Sequence, residues 1–156
     1  MADDAGAVLG YGEIVTALGQ DWHLGEITLA VKARYCALLR NAARTALAED
    51  AKAGLDPDAY KQGLSILNAD CAAGKYAWGN RMGEAVRRSL DDFAGMERLA
   101  QLLLEPHHPG VTLDRVQELL DAEPQAFGAA LSYLLGFRKK PAATGTAATT
   151  TTPAAG

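Results

Sequence analysis

Three histidines, two cysteines and a row of cations are the side chains of this sequence with most reach for chemistry, and their spacing limits what each can do. His107 and His108 stand side by side in the segment Pro106-His107-His108-Pro109-Gly110. Adjacent residues in a proline-flanked loop rarely aim at one ion, and no third Cys or His lies close in sequence. A solvated loop is therefore expected there, not a metal centre. His23 is expected to decorate a hairpin. Cys71 recurs on an apolar helical stripe and reads as a small buried hydrophobe. Cys36 borders the apolar face of the first long helix near Lys32 and Arg40, whose charge would lower the thiol pKa. With no companion histidine or motif, it does not read as a nucleophile.

Motifs that carry catalysis are missing. The sequence has no phosphate-binding loop, zinc-protease helix, nucleophile elbow or Cys-x-x-Cys pair, and Gly10-Tyr11-Gly12 lacks the third glycine of a dinucleotide fingerprint. The expectation is a protein that is not an enzyme, with no catalytic, cofactor-binding or metal-ligating residue and no cofactor.

Binding chemistry is better represented. Lys32, Arg34, Arg40 and Arg44 precede the next acid, Glu49. Lys32, Arg40 and Arg44 share one helical row, suited to an acidic partner or to the acidic N-terminal segment of the chain itself. Tyr76 and Trp78 lie in an irregular stretch, where aromatics serve as anchors for a partner or cover the edge of a core. Phe93 and Met96 are candidate liners of a groove that takes a partner helix. These seven residues, Lys32, Arg40, Arg44, Tyr76, Trp78, Phe93 and Met96, are the candidate partner-binding set. A solvated helix face and a covered core edge are the simpler readings of the same residues.

The elements that must position them follow from composition and period. The 156 residues suffice for one domain; 49% are apolar, 6% aromatic, and alanine supplies about a fifth. That bias favours helix over sheet. A short acidic, glycine-containing N-terminus over 1–10 is expected to be mobile. The runs Glu13 to Leu18 and Asp21 to Leu24 about Gly19-Gln20 predict a β-hairpin that must pack on helices to persist.

Thr28 should cap a helix running to about Ala53 and ended by Gly54, with Val31, Tyr35, Leu38, Leu39, Ala42 and Ala46 on its inner face. Asp56-Pro57 starts a second helix with the stripe Tyr60, Leu64, Leu67 and Cys71, closed by Gly74. Lys75 to Gly83 is irregular. Helix resumes through Glu84, Val86 and Leu90. Ser89, Asp91 and Asp92 are candidate caps for a stretch carrying Phe93, Met96, Leu99 and Leu103, as one bent helix or two. After the break at 106–110, Thr112 caps a helix with Leu113, Val116, Leu119 and Leu120 inward. Glu123-Pro124 opens the last, with Phe127, Leu131, Leu134 and Leu135 inward. Gly63, Gly95 and Gly128 interrupt these helices and would be justified by close packing. The predicted architecture is a mainly α multi-helix domain over 11–137 with an N-terminal hairpin, followed by a disordered tail over 138–156 that is basic and then Ala/Thr-rich.

Charge narrows the partners. The net charge is −4, and without the triplet Arg138-Lys139-Lys140 the remainder stands at −7. Nucleic acid needs clustered positive charge, so it is not an expected partner. The last two helices mimic a helix-turn-helix, but no Arg or Lys precedes Arg138 on the second. No secretory signal opens the chain and no apolar run approaches the ~20 residues of a membrane span. The cytoplasm, with its reduced thiols, is the expected location.

The order of these parts, with Tyr76-Ala77-Trp78-Gly79 in the middle and His108-Pro109-Gly110-Val111-Thr112-Leu113-Asp114-Arg115-Val116-Gln117-Glu118-Leu119-Leu120 later, resembles small proteins of phage tail-gene clusters, including the tail-assembly chaperones of long-tailed bacteriophages. The likeness spans residues 10–137 in order and character. It implies a non-enzymatic protein, in the host cytoplasm, that binds the long hydrophobic tape-measure protein and keeps it soluble while tube subunits polymerise. It also implies a second, longer form made by frameshifting, with Lys139-Lys140 as a candidate slippery run. The alternative class is a structural virion or tail subunit that forms a homo-oligomer through its helices.

Overall fold

The computed structural model describes residues 12–137. The expected mobile segment 1–10 and the tail 138–156 lie outside the described residues.

A tight hairpin opens the described chain. Strands β1 (Glu13–Ala17) and β2 (Gln20–Leu24) pair antiparallel, with Val15 opposite Trp22 and Ala17 opposite Gln20. The turn is Leu18-Gly19, one residue earlier than the sequence predicts. Both residues have positive φ, 52° and 80°, as a type I′ turn requires. Glycine adopts that conformation freely; Leu18 does not, and it is held there by the strands on either side. Alternation puts Val15, Ala17, Trp22 and Leu24 on the buried face and Ile14 and Thr16 outside.

Six helices follow among the described residues: α1 (Leu29–Lys52), α2 (Pro57–Ala72), α3 (Glu84–Leu90), α4 (Phe93–Leu104), α5 (Leu113–Ala122) and α6 (Pro124–Leu134). The mainly helical fold with an N-terminal hairpin is as predicted. Thr28, Asp56 and Thr112 cap α1, α2 and α5 with side-chain oxygens that accept backbone N–H groups. α3 and α4 are separate helices. Ser89 caps neither, because its Oγ lies 2.8 Å from the Tyr35 hydroxyl, and Asp92 occupies the N-cap of α4 without a side-chain hydrogen bond. α5 and α6 share Glu123 as C-cap and N-cap, which leaves no room for the three- to four-residue turn of a helix-turn-helix.

α4 is the centre of the body. It packs against α1, α3, α5 and β2, while α6 packs on β1, so the hairpin is held by a helix behind each strand. Leu99, Leu103 and Leu104 of α4 meet Leu24, Val116, Leu119, Phe127 and Leu131 in one continuous core. Gly95 allows the close crossing of α3 and α4: a Cβ there would stand 2.5 Å from the Ser89 carbonyl carbon. Tyr35 closes the same junction, its buried hydroxyl donating to the Gly95 carbonyl at 3.2 Å.

α1 is 24 residues long, hence about 36 Å, and only its first half is docked. Tyr35 and Cys36 are buried, but Ala42 and Ala46, predicted to face inward, are exposed. From Arg40 onward the helix has left the body and its packing partner is α2. Leu113, also expected inward, is partly exposed at the start of α5.

Candidate functional site

The sequence-predicted partner residues fall in three places. Lys32 and Trp78 meet where the 73–83 loop lies on α1. The Lys32 ammonium sits 5.7 Å from the Trp78 ring centre and 3.5 Å from the Gly79 carbonyl oxygen. Trp78 in turn stands edge-on to Tyr35 at 5.8 Å and packs against the core. Its ring fastens the loop to the helix. Tyr76 is half-buried, and burial raises its phenol pKa. Met96 packs against the core from α4, whereas Phe93 at the start of that helix is 52% exposed.

Cys36 shares this neighbourhood. It is buried, and burial pushes its thiol pKa up, outweighing the Arg40 guanidinium that acts the other way. The lowered pKa expected from nearby cations is thus overturned by desolvation. Cys71, expected in the core, is half-buried in α2.

Arg40 and Arg44 lie further out, on the arm formed by the second half of α1 and by α2. Among the described residues the ion pairs include Arg34–Glu105 at 2.7 Å and Lys75–Asp70 at 2.8 Å, and none involves Lys32, Arg40 or Arg44. The seam of the arm is thin. Of the predicted stripe only Leu67 is buried; Tyr60, Leu64 and Cys71 are half-buried and Ile66 is 55% exposed.

A further junction, outside these three places, was not legible in the sequence. All three histidines of the chain converge where β2 meets the loop after α4. The His23 ring lies 5.8 Å from His107 and 5.9 Å from His108, and Trp22 lies 4.7 Å from His108. The His23 backbone N–H donates to Nε2 of His108 at 2.9 Å, across 85 residues of sequence. Burial first, then the other two imidazoles, lowers the His108 pKa below the ordinary histidine value. The solvated loop expected of 106–110 is here a packed junction for His108. Trp22, His108, Thr112 and Arg115 line a cleft of about 330 Å³ beside it, with the Arg115 guanidinium 5.5 Å from the Trp22 ring centre. Among the described residues no three His, Cys, Asp or Glu side chains are arranged to hold a metal ion. A neutral His108 already spends Nε2 on the His23 amide.

The only signal for this junction in the sequence was the adjacency of the two histidines, and adjacency says nothing about which strand the loop will cross. Among the described residues no helix is long and apolar enough to cross a membrane. Comparison with protein-family models, with curated proteins and with solved structures finds no match to this chain.

Proposed function

We propose that the chain is a protein-binding module without catalytic activity and that the two-helix arm meets the partner. The observation that carries this reading is the packing of the arm. α2 adds little to the core, buries one side chain against α1, and leaves Ile66 exposed, while on the neighbouring helix Arg44 is exposed and Arg40 half-buried. A pair of helices with so thin a seam gains by burying its remaining apolar surface against a third helix. Arg40 and Arg44, free of ion pairs among the described residues, favour an amphipathic partner helix with acidic flanks.

The resemblance to tail-assembly chaperones gives the reading its specific form: the partner is the tape-measure protein, bound in the host cytoplasm before the tail tube closes round it. The test is a pull-down from native lysate with the full chain and with Ile66→Glu and Arg40→Glu/Arg44→Glu, with assembled particles assayed separately. Recovery of one very long helical protein, lost in both variants, together with absence of the chain from particles, is the expected result. Stoichiometric presence in particles would make it a structural subunit. Capture unaffected by either variant would exclude the arm as the binding surface.

A further inference from the structure

We propose that His108 is a proton-operated latch: its neutral imidazole fastens the outer edge of the hairpin to the helical body, and protonation releases that edge. The latch works in the same way whatever the arm binds.

The geometry starts from the register of the ribbon. In a two-stranded antiparallel sheet, alternate residues turn their N–H groups away from the partner strand. With Ala17 paired to Gln20 across a two-residue turn, the outward N–H groups at the end of β2 and just beyond it are those of His23 and Gly25. Both are captured by the body. Gly25 N–H donates to the Leu103 carbonyl of α4 at 2.7 Å, and His23 N–H donates to His108 Nε2 at 2.9 Å. The first clamp is backbone to backbone and indifferent to pH. The second depends on one lone pair. Imidazole accepts at Nε2 only while that nitrogen is unprotonated; imidazolium presents N–H at both nitrogens. A proton on His108 therefore sets a donor against the His23 donor.

The surrounding groups push the same way. The His23 ring on β2 lies 5.9 Å from the His108 ring, and His23 and His107 both act on His108 electrostatically against its imidazolium form. Arg115 on α5 lines the same cleft. Of the acids on the packed elements, Asp21 on β2 accepts from the Thr16 hydroxyl at 2.6 Å, Glu105 after α4 pairs with Arg34 at 2.7 Å, and Glu118 on α5 pairs with Arg115 at 2.5 Å. Asp114 is exposed in the first turn of α5.

Burial and the neighbouring imidazoles hold the ring neutral to lower pH than a free histidine. The latch is closed above the ordinary histidine value of about 6.5 and its stabilisation is lost as pH falls through the lowered value. Opening bears on Trp22, which lies against His108 and forms one wall of the cleft.

The experiment is an NMR titration of the labelled full chain from neutral to mildly acidic pH, following the His108 ring and the hydrogen-exchange protection factors of the His23 and Gly25 amides. Protection factors remove the intrinsic pH dependence of exchange. His23 protection should fall by about tenfold per pH unit, the slope that a single proton imposes, in step with the His108 ring, while Gly25 keeps its own. His108→Gln, whose carboxamide oxygen accepts without titrating, should hold His23 protection level across the range. His108→Phe should leave the amide unprotected at neutral pH. Unchanged His23 protection while the His108 ring titrates overturns the proposal in the wild-type chain alone. Persistence of the step in His108→Gln, with its loss in His23→Gln or His107→Gln, assigns the trigger to another imidazole and overturns it too.

Discussion

Replacing Gly95 with alanine should cost stability even though alanine is the better helix former. In an open helix the change gains about 1 kcal/mol. Here the new methyl would stand 2.5 Å from both the carbonyl carbon and the Oγ of Ser89, and the obstructing carbonyl is backbone at the end of α3, unable to swing aside. Overpacking of this kind costs about 1–3 kcal/mol. If α4 backs away to relieve it, the Tyr35 hydroxyl loses partners at 2.8 and 3.2 Å, each worth about 1 kcal/mol. The net expectation is a loss of about 2–4 kcal/mol. The assay is urea unfolding followed by far-ultraviolet circular dichroism. With an m-value of about 1–2 kcal/mol/M, the midpoint should fall by about 2 M. Two internal controls sharpen the test. Gly128 in α6 has nothing within 4 Å of the place a Cβ would occupy, so Gly128→Ala should stabilise by up to about 1 kcal/mol. At Gly63 the obstacle is the Leu47 Cδ2 at 2.7 Å, the far end of a flexible side chain, and Gly63→Ala should be near neutral. A Gly95→Ala midpoint at or above that of the wild type would refute the reasoning.

Leu18→Asn, at the first position of the type I′ turn where φ is 52°, should raise stability by up to about 1 kcal/mol in thermal or urea unfolding, since asparagine tolerates that conformation and Leu18 is 51% exposed. Tyr35→Phe should cost about 1–2 kcal/mol by stranding Ser89 and the Gly95 carbonyl. Burial raises the Tyr35 pKa, so the phenol's contribution is whole below its ordinary value of about 10 and is lost as pH rises through the raised one; the variant should show less alkaline destabilisation than the wild type. Amide exchange in α2, where Leu67 is the one buried side chain, should be at least about tenfold less protected than in α4, because burying a leucine is worth about 1.5–3 kcal/mol. Equal protection would mean that the arm and the body unfold together.

Local rules were legible where local chemistry decides. Thr28, Asp56-Pro57 and Thr112 marked helix starts, and the alternation of the hairpin marked its buried face, because caps and periods depend on neighbours a few residues away. Misreadings came where tertiary position decides. Ala42 and Ala46 continue the period of Tyr35, yet period cannot say that the body ends halfway along the helix. Ser89 looked like a cap until the hydroxyl of Tyr35, 54 residues away, claimed it. The cations beside Cys36 were visible, whereas the burial that outweighs them belongs to the assembled fold. Of the candidate binding residues, the Arg40 and Arg44 row was readable from helical spacing. The histidine junction needed the loop after α4 to cross β2, which no spacing encodes.

The arm also sets where this chain can change length. The body is drawn from two stretches, 12–39 and 74–135, and residues 40–73 leave it along one helix and return along the next. Adding seven residues to each helix at the tip would carry the tip outward by about 10 Å and keep the facing stripe in register, without disturbing a side chain of the core. Deleting the same number would draw it back. The projection therefore behaves as an adjustable spacer: its reach is set by the number of turns between Arg40 and Gly54, while the hairpin and the four helices of the body stay as they are.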